Sequence, residues 1–395
     1  MSFSDGIQSN QGYKEQPAPV LSCESKNGGK LYHGEVAYVY AYDLAYDMKR
    51  HTIDRILSQP TREYFVSPSK RSPRHMFFYC PLVADFPSQT KQLADGQVVQ
   101  IKRSVKLFNI GAISIQARVP FAVSSLGELV KYHDLHLVDS TLEQEINKFA
   151  EAIRRDLEPH CIRPVPALDQ AEAYTVFCLA DLPRVENSRQ ISAEQWLKTN
   201  RRVMAALLTQ EENAERLSDQ EVTESTERYI SYYDKDLVLV DWDSALVVGQ
   251  QDVLADVLHI IELANVQLVE LAAYDRILDD ALQVSYRDIT QMRFHSRREV
   301  HKKLREIRID VSRLDDELSN ITKFFGDWYL AQIHANFASR FHLPDWHRTI
   351  DEKLETLHNL YQILQQDRFD FLMFVLEATI VLLFVIDLLL LLYHS

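Results

Sequence analysis

The feature that most constrains this chain is FLMFVLEATIVLLFVIDLLLLLY, residues 371–393, an apolar run interrupted by two carboxylates, Glu377 and Asp387. A bilayer core about 30 Å thick takes roughly 20 apolar residues of helix to cross, so the run reads as one membrane-spanning segment. His394 and Ser395 follow it, which gives the expectation of a single-pass tail anchor. MSFSDGIQSNQGYKEQPAPV at the other end lacks the basic, apolar, small-residue order of a secretory signal, so the bulk is expected in the cytoplasm. An ionised carboxylate inside a spanning helix costs roughly 2.5 to 3.5 kcal/mol, so neither acid should face lipid. Ten residues at 100° each bring Glu377 and Asp387 within about 80° of one another on the helix surface. A single span has no helix of its own to cover that stripe, and a second copy is the simplest cover, which predicts a homo-oligomer.

Ahead of this segment the chain divides by pattern. Residues 1–32 mix Ser, Gln, Gly, Asn and Pro without periodicity and read as a disordered lead. Residues 33–250 read as an α/β domain. EVAYVYAYDLAYDM alternates as a strand does, HTIDRIL has helical spacing, and HMFFYCPLV and VQIKRSVKLFNIGAISIQARVPF read as strands with a bend at Asn109-Ile110-Gly111. A helix opened by Ser140 with Glu143 at the capping-box position is expected next, then the strand AEAYTVFCLA and two Ser-initiated helices. The strands of YISYYDKDLVLVDWDSALVVGQ close the domain.

Residues 251–370 read as a helical, coiled-coil-like stalk. Ile261 and Leu268, with Ala264, Leu271 and Leu278, fall at heptad spacing; a second helix spans Val311 to His342; a third, with Ile350, Leu354, Leu357, Tyr361 and Leu364 as its stripe, runs into the membrane segment. The fold class expected is α+β: an α/β domain, an antiparallel helical stalk and one transmembrane helix. At about 1.5 Å per residue the second helix and the extramembrane part of the third, roughly 47 and 39 Å, nearly cancel. The end of the first helix then lies within about 10 Å of the bilayer. That end carries Arg293, Arg297, Arg298, Lys302, Lys303, Arg305 and Arg308. Contact with anionic headgroups is the expectation, at up to about 1 kcal/mol per basic residue. Over the whole chain 57 acidic against 43 basic residues argue against general nucleic-acid binding.

Glu352-Lys353-Leu354 on a helix, Leu376-Glu377 opening the apolar segment and Asp387 ten residues on resemble the carboxyl end of the "required for meiotic nuclear division" family, as does LVLVDWDSALVV leading into a helix with LANVQLVEL. The resemblance centres on the last 45 or so residues, and Asp387 stands where that family has Glu. It implies a self-associating single-pass membrane protein, with mitochondrial relatives in the inner membrane that support translation of organelle-encoded membrane proteins. Glu377 and Asp387 transfer as signature positions without an assigned role.

Chemistry is thinly signalled. Asp234, Asp236, Asp241 and Asp243 crowd a short β segment where carboxylates can hold a divalent cation, although turns also favour Asp. His133 and His136 have HxxH spacing, a weak ligand signal. Cys23, Cys80, Cys161 and Cys178 lack CxxC spacing and read as reduced thiols. No phosphate loop, dinucleotide fingerprint or zinc-hydrolase motif is present, and no cofactor is expected. The expectation is an oligomeric scaffold or tether that holds an unidentified cytosolic protein at a membrane. Alternatives are an effector conducting protons or ions through the acid-bearing helices, and a metal-dependent enzyme using the Asp234 to Asp243 cluster.

Overall fold

The computed structural model describes residues 32–64, 81–108, 110–182, 191–291, 305, 309 and 328–394. In chain order the elements are β1 (Tyr32–Asp43), β2 (Ala45–Met48), β3 (Arg55–Ile56), β4 (Gln59–Glu63), β5 (Leu82–Gln92), β6 (Val98–Leu107), β7 (Ala112–Val123), α1 (Leu142–Leu157), β8 (Cys161–Pro164), β9 (Glu172–Leu179), α2 (Ala193–Leu208), α3 (Asp219–Glu227), β10 (Tyr229–Ile230), β11 (Leu237–Val240), β12 (Ser244–Val248), α4 (Gln251–Gln291), α5 (Trp328–Arg340) and α6 (Leu343–His394).

Strand β1 organises the rest because it is apolar on both faces. Val36, Tyr38, Tyr40 and Tyr42 enter one core while Ala37, Val39 and Ala41 enter another. Such a strand belongs inside a sheet covered on both sides. Accordingly β1 pairs antiparallel with β7 and β9 within a ten-stranded sheet ordered β10-β11-β12-β9-β1-β7-β6-β5-β4-β3. The β9–β12 pair is parallel and makes the sheet mixed; β2 and β8 form a separate two-stranded sheet. The fold is α+β.

One face carries Leu129, Ile146, Ile153, Trp196 and Met204, from the 3-10 segment Leu126–Tyr132, α1 and α2. The other is covered by α4, α5 and α6, whose Val257, Ile261, Ile333, Phe337 and Ile350 share a core with β1, β9 and β12. The helices after residue 250 thus begin by completing the sheet's second core. Farther along, Leu271 and Leu278 of α4 share this core with Leu354 and Leu357 of α6. Phe341, just before α6, packs on Tyr174, whose strand receives the Asn265 amide at Glu172; Lys353 then reaches Asp275 and Asp279. Both anchors advance together, so α6 runs in the direction of α4.

Two local expectations are corrected. HTIDRIL is not a helix: Arg50–Thr52 is a 3-10 turn and Arg55–Ile56 begins a hairpin, because Leu57 and Ser58 adopt positive φ (45° and 68°) and reverse the chain into β4. Ser140 and Glu143 do not cap α1. Thr141 does, accepting from the Gln144 amide at 3.3 Å while the Gln144 side chain accepts from the Thr141 amide. Gly111 turns β6 into β7 at φ +96°, where a Cβ would lie 1.7 Å from the Ala45 carbonyl oxygen, so a side chain is excluded twice over.

Among the described residues no helix is long and apolar enough to cross a membrane. The span expected over 371–393 is therefore not a feature of the described structure, in which α6 is helical to His394 and its apolar part has side chains described from Met373 to Ile386. Met373 to Leu376 and Ile380 to Ile386 are all exposed.

Candidate functional site

The hairpin turn Asp241-Trp242-Asp243 between β11 and β12 is held from beneath. Tyr174 of β9 places its hydroxyl 2.9 Å from the Asp241 carbonyl oxygen and 2.7 Å from that of Ser244, and Ser244 Oγ donates to the Leu208 carbonyl at 2.9 Å. From the side, Arg340 at the end of α5 donates to Asp241 Oδ1 at 2.9 Å and to the backbone carbonyls of Val240 and Glu224. One guanidinium therefore joins α5, α3 and the turn. Its side chain is 12% exposed and that of Asp241 6%, so the pair is largely shielded from water.

This bracing leaves an open groove of about 1030 Å³ between α3, α5 and the first turn of α6. Trp242 forms one wall, 54% exposed and stacked on His342 with ring centroids 5.1 Å apart. Ala335 and Ala338 supply small apolar floor positions, and Glu227 and Arg228 stand at the α3 side. His334 also lines the groove, and burial lowers its pKa, which favours the neutral ring. An aromatic wall with an apolar floor and charged margins suits the capture of a polypeptide segment.

A second concentration of charge lies under α4. Lys106 on β6 donates to Glu262 on α4; Ser114, opposite Lys106 on β7, lies 3.2 Å from the other Glu262 oxygen. His259 Nδ1 is 3.5 Å from the ammonium, which also sits 4.2 Å from the centre of the Tyr64 ring. All but Tyr64 are buried. Burial and the neighbouring ammonium push His259 down to about 4, and burial lowers Lys106 against the opposing pull of Glu262. The cluster fastens helix to sheet. The pairing of Lys106 with Glu262 could not have been read from spacing, because the two are 156 residues apart.

The residues singled out from the sequence are placed as follows. Asp236 closes its own turn, its Oδ1 accepting from the Tyr232 and Tyr233 amides at 2.8 and 2.7 Å. Asp241 is committed to Arg340, and Asp234 offers its carbonyl oxygen to the Ala193 amide. Asp243 uses its carbonyl to receive Thr175. Among the described residues no group of three or more His, Cys, Asp or Glu side chains is arranged to hold a metal ion. His133 turns away to the Leu207 carbonyl, while His136 pairs with Asp134 at 3.2 Å. Glu377 is exposed on α6; the Asp387 side chain lies outside the described residues. Of the basic cluster, Arg305 is helical and exposed, and Arg293, Arg297, Arg298, Lys302, Lys303 and Arg308 lie outside the described residues.

Residues 33–253 match the model of a family described as uncharacterized protein MJ0711, N-terminal domain. Among curated proteins the chain is similar to "Uncharacterized protein MJ0711" of Methanocaldococcus jannaschii, 24% identical over 220 residues, which are 55% of this chain and 65% of that one. The chain therefore spans less than two thirds of that relative's length. No solved structure matches. These findings overturn the resemblance to the "required for meiotic nuclear division" family: the matching family is a different one, and its model covers the sheet-bearing body rather than the motif from Glu352 to Asp387. Glu377 and Asp387 lose their standing as signature positions and keep only what their own chemistry supports.

Proposed function

The chain belongs to the MJ0711 N-terminal domain family, and from that premise we propose a membrane-anchored scaffold: residues 371–393 cross the bilayer, and the α+β body holds a cytosolic protein through the Trp242 groove. The observation that carries this reading is the exposure of Met373 to Leu376 and Ile380 to Ile386 on every side of one helix. A helix apolar all round needs an apolar surrounding, and lipid is one that asks for no complementary groove. The described stretch of 373–386 amounts to about 21 Å, and the sequence extends the apolar run to Tyr393.

Helix register adds support. From Asp279 to the end of α4 at Gln291 is about 18 Å, and from Lys353 to Phe371 about 27 Å. With Lys353 and Asp279 in contact at 2.6 Å, α4 ends about 9 Å short of the apolar run. The basic cluster that begins at Arg293 comes next in the sequence, and contact of these residues with anionic headgroups is part of the proposal. The Asp234 to Asp243 cluster gives no support to an enzyme, since its buried carboxylates are spent on turn amides and on Arg340.

The test is labelling of the full chain, reconstituted in lipid vesicles, with a lipid-soluble carbene reagent. Label concentrated in residues 371–393 is expected. Label absent from that stretch, or spread evenly over the body, would overturn the reading.

A further inference from the structure

We infer that α6 meets a second copy of this chain along the face that bears Glu377, with the two carboxyl groups hydrogen-bonded to one another. The inference rests on the membrane reading of α6 and names the partner of that helix. Glu377 lies six residues, about 9 Å, beyond Phe371, deeper than its own side chain can reach back to water. Among the described residues no side chain is hydrogen-bonded or ion-paired to its carboxyl. From Phe369 to Tyr393 the sequence holds no Lys, Arg or His. The nearby hydroxyl of Thr379 donates to the Val375 carbonyl of its own helix at 2.7 Å.

Glu377 is exposed on a helix whose large apolar neighbours are exposed as well, so the described fold covers no side of it. The missing group must come from another molecule at the same depth. A second copy brings a carboxyl to that depth in every case, and two copies about a twofold axis place identical groups face to face. A protonated carboxyl donates and its partner accepts, which satisfies both where an isolated acid would stand in hydrocarbon. At 100° per residue Phe384 falls within about 20° of Glu377, and Ile386 lies about 180° away, so the contact face and the lipid face are distinguishable.

The experiment uses the full chain in its membrane, with Phe384→Cys and Ile386→Cys variants oxidised to form disulfides, and the Glu377→Leu and Glu377→Gln changes added to the first. Cross-linking is expected through position 384 and not 386. It should fall about tenfold or more with Glu377→Leu and persist with Glu377→Gln, which keeps a hydrogen-bonding side chain. Equal cross-linking at both positions, none at either, or an unchanged yield in Glu377→Leu would overturn the inference. Retention of each variant in the membrane fraction after an alkaline wash separates the two claims: retained but uncross-linked protein defeats the dimer alone, whereas wild-type protein that washes off defeats the anchor.

Discussion

The ammonium of Lys106 on β6 donates to the carboxylate of Glu262 on α4, and the two side chains are 7% and 0% exposed. Two charges removed from water are tolerable together and costly apart. Lys106→Met alone, or Glu262→Leu alone, is expected to destabilise the fold by about 3 to 5 kcal/mol. The double variant, with an apolar pair of similar volume, should regain most of the loss. Thermal unfolding of the detergent-solubilised chain reads the difference, and a double variant no better than the worse single one would contradict it.

Two titrations of opposite sign shape the acid limb of stability. His259 is held down to about 4 by burial and by Lys106. Its contribution is complete above the ordinary imidazole value of about 6.5 and is lost as pH falls from there through 4. Burial raises Asp43 to about 6 from 3.8, so its contribution is complete below 3.8 and is lost as pH rises through 6. Between about pH 4 and 6 the two oppose each other. Relative to wild type, His259→Gln should make stability fall with rising pH across that window, and Asp43→Asn should make it rise, each by at most about 1.4 kcal/mol per pH unit. Urea midpoints at a series of pH values would reveal these slopes; parallel curves for all three proteins would refute them.

Arg340 joins α5 to Asp241 and to the carbonyls of Val240 and Glu224. Arg340→Met should cost about 3 kcal/mol, because it strands a mostly buried carboxylate. Adding Asp241→Asn should restore part of it. A chelator should leave the melting temperature of wild type unchanged, since Asp236 and Asp241 are already engaged by protein groups. A drop of several degrees on chelation would bring back a metal role for this hairpin.

Lys353 is clasped by Asp275 at 2.7 Å and Asp279 at 2.6 Å, and these contacts tie the root of α6 to α4. Replacing it with Met keeps the apolar stem and removes both bonds, for a loss of about 1 kcal/mol at this partly exposed position. The larger effect should be local. Hydrogen exchange of backbone amides from Ile350 to Leu357 should quicken while β1 stays protected, and uniform protection would count against the clasp.

Periodicity made part of this molecule legible. The alternation in EVAYVYAYD, the Ser192 and Ser218 helix starts and the stripe of Ile350, Leu354 and Leu357 are all present where the pattern placed them. Short-range ambiguity hid other parts: HTIDRIL carries helical spacing, yet Ile53 and Ile56 are buried by a hairpin. Long-range pairing hid the rest. His259 and Glu262 stand out as polar residues inside an apolar helix pattern, and that was the one available sign of a buried partner; its identity required the register of β6 against α4. The groove was invisible for the same reason, since Trp242, Ala338 and His342 come together only when α5 packs across β11.

The central claim is that residues 371–393 anchor the body in a bilayer. Its most direct measurement is retention of the full-length chain in membranes after an alkaline wash, beside a Leu382→Arg, Leu383→Arg double variant. Two arginines within a span cost roughly 5 to 7 kcal/mol on insertion scales, enough to abolish anchoring without touching the body. The account predicts wild-type protein in the membrane pellet and the variant in the supernatant. Wild-type protein released by the wash, or a variant retained as well as wild type, would contradict it.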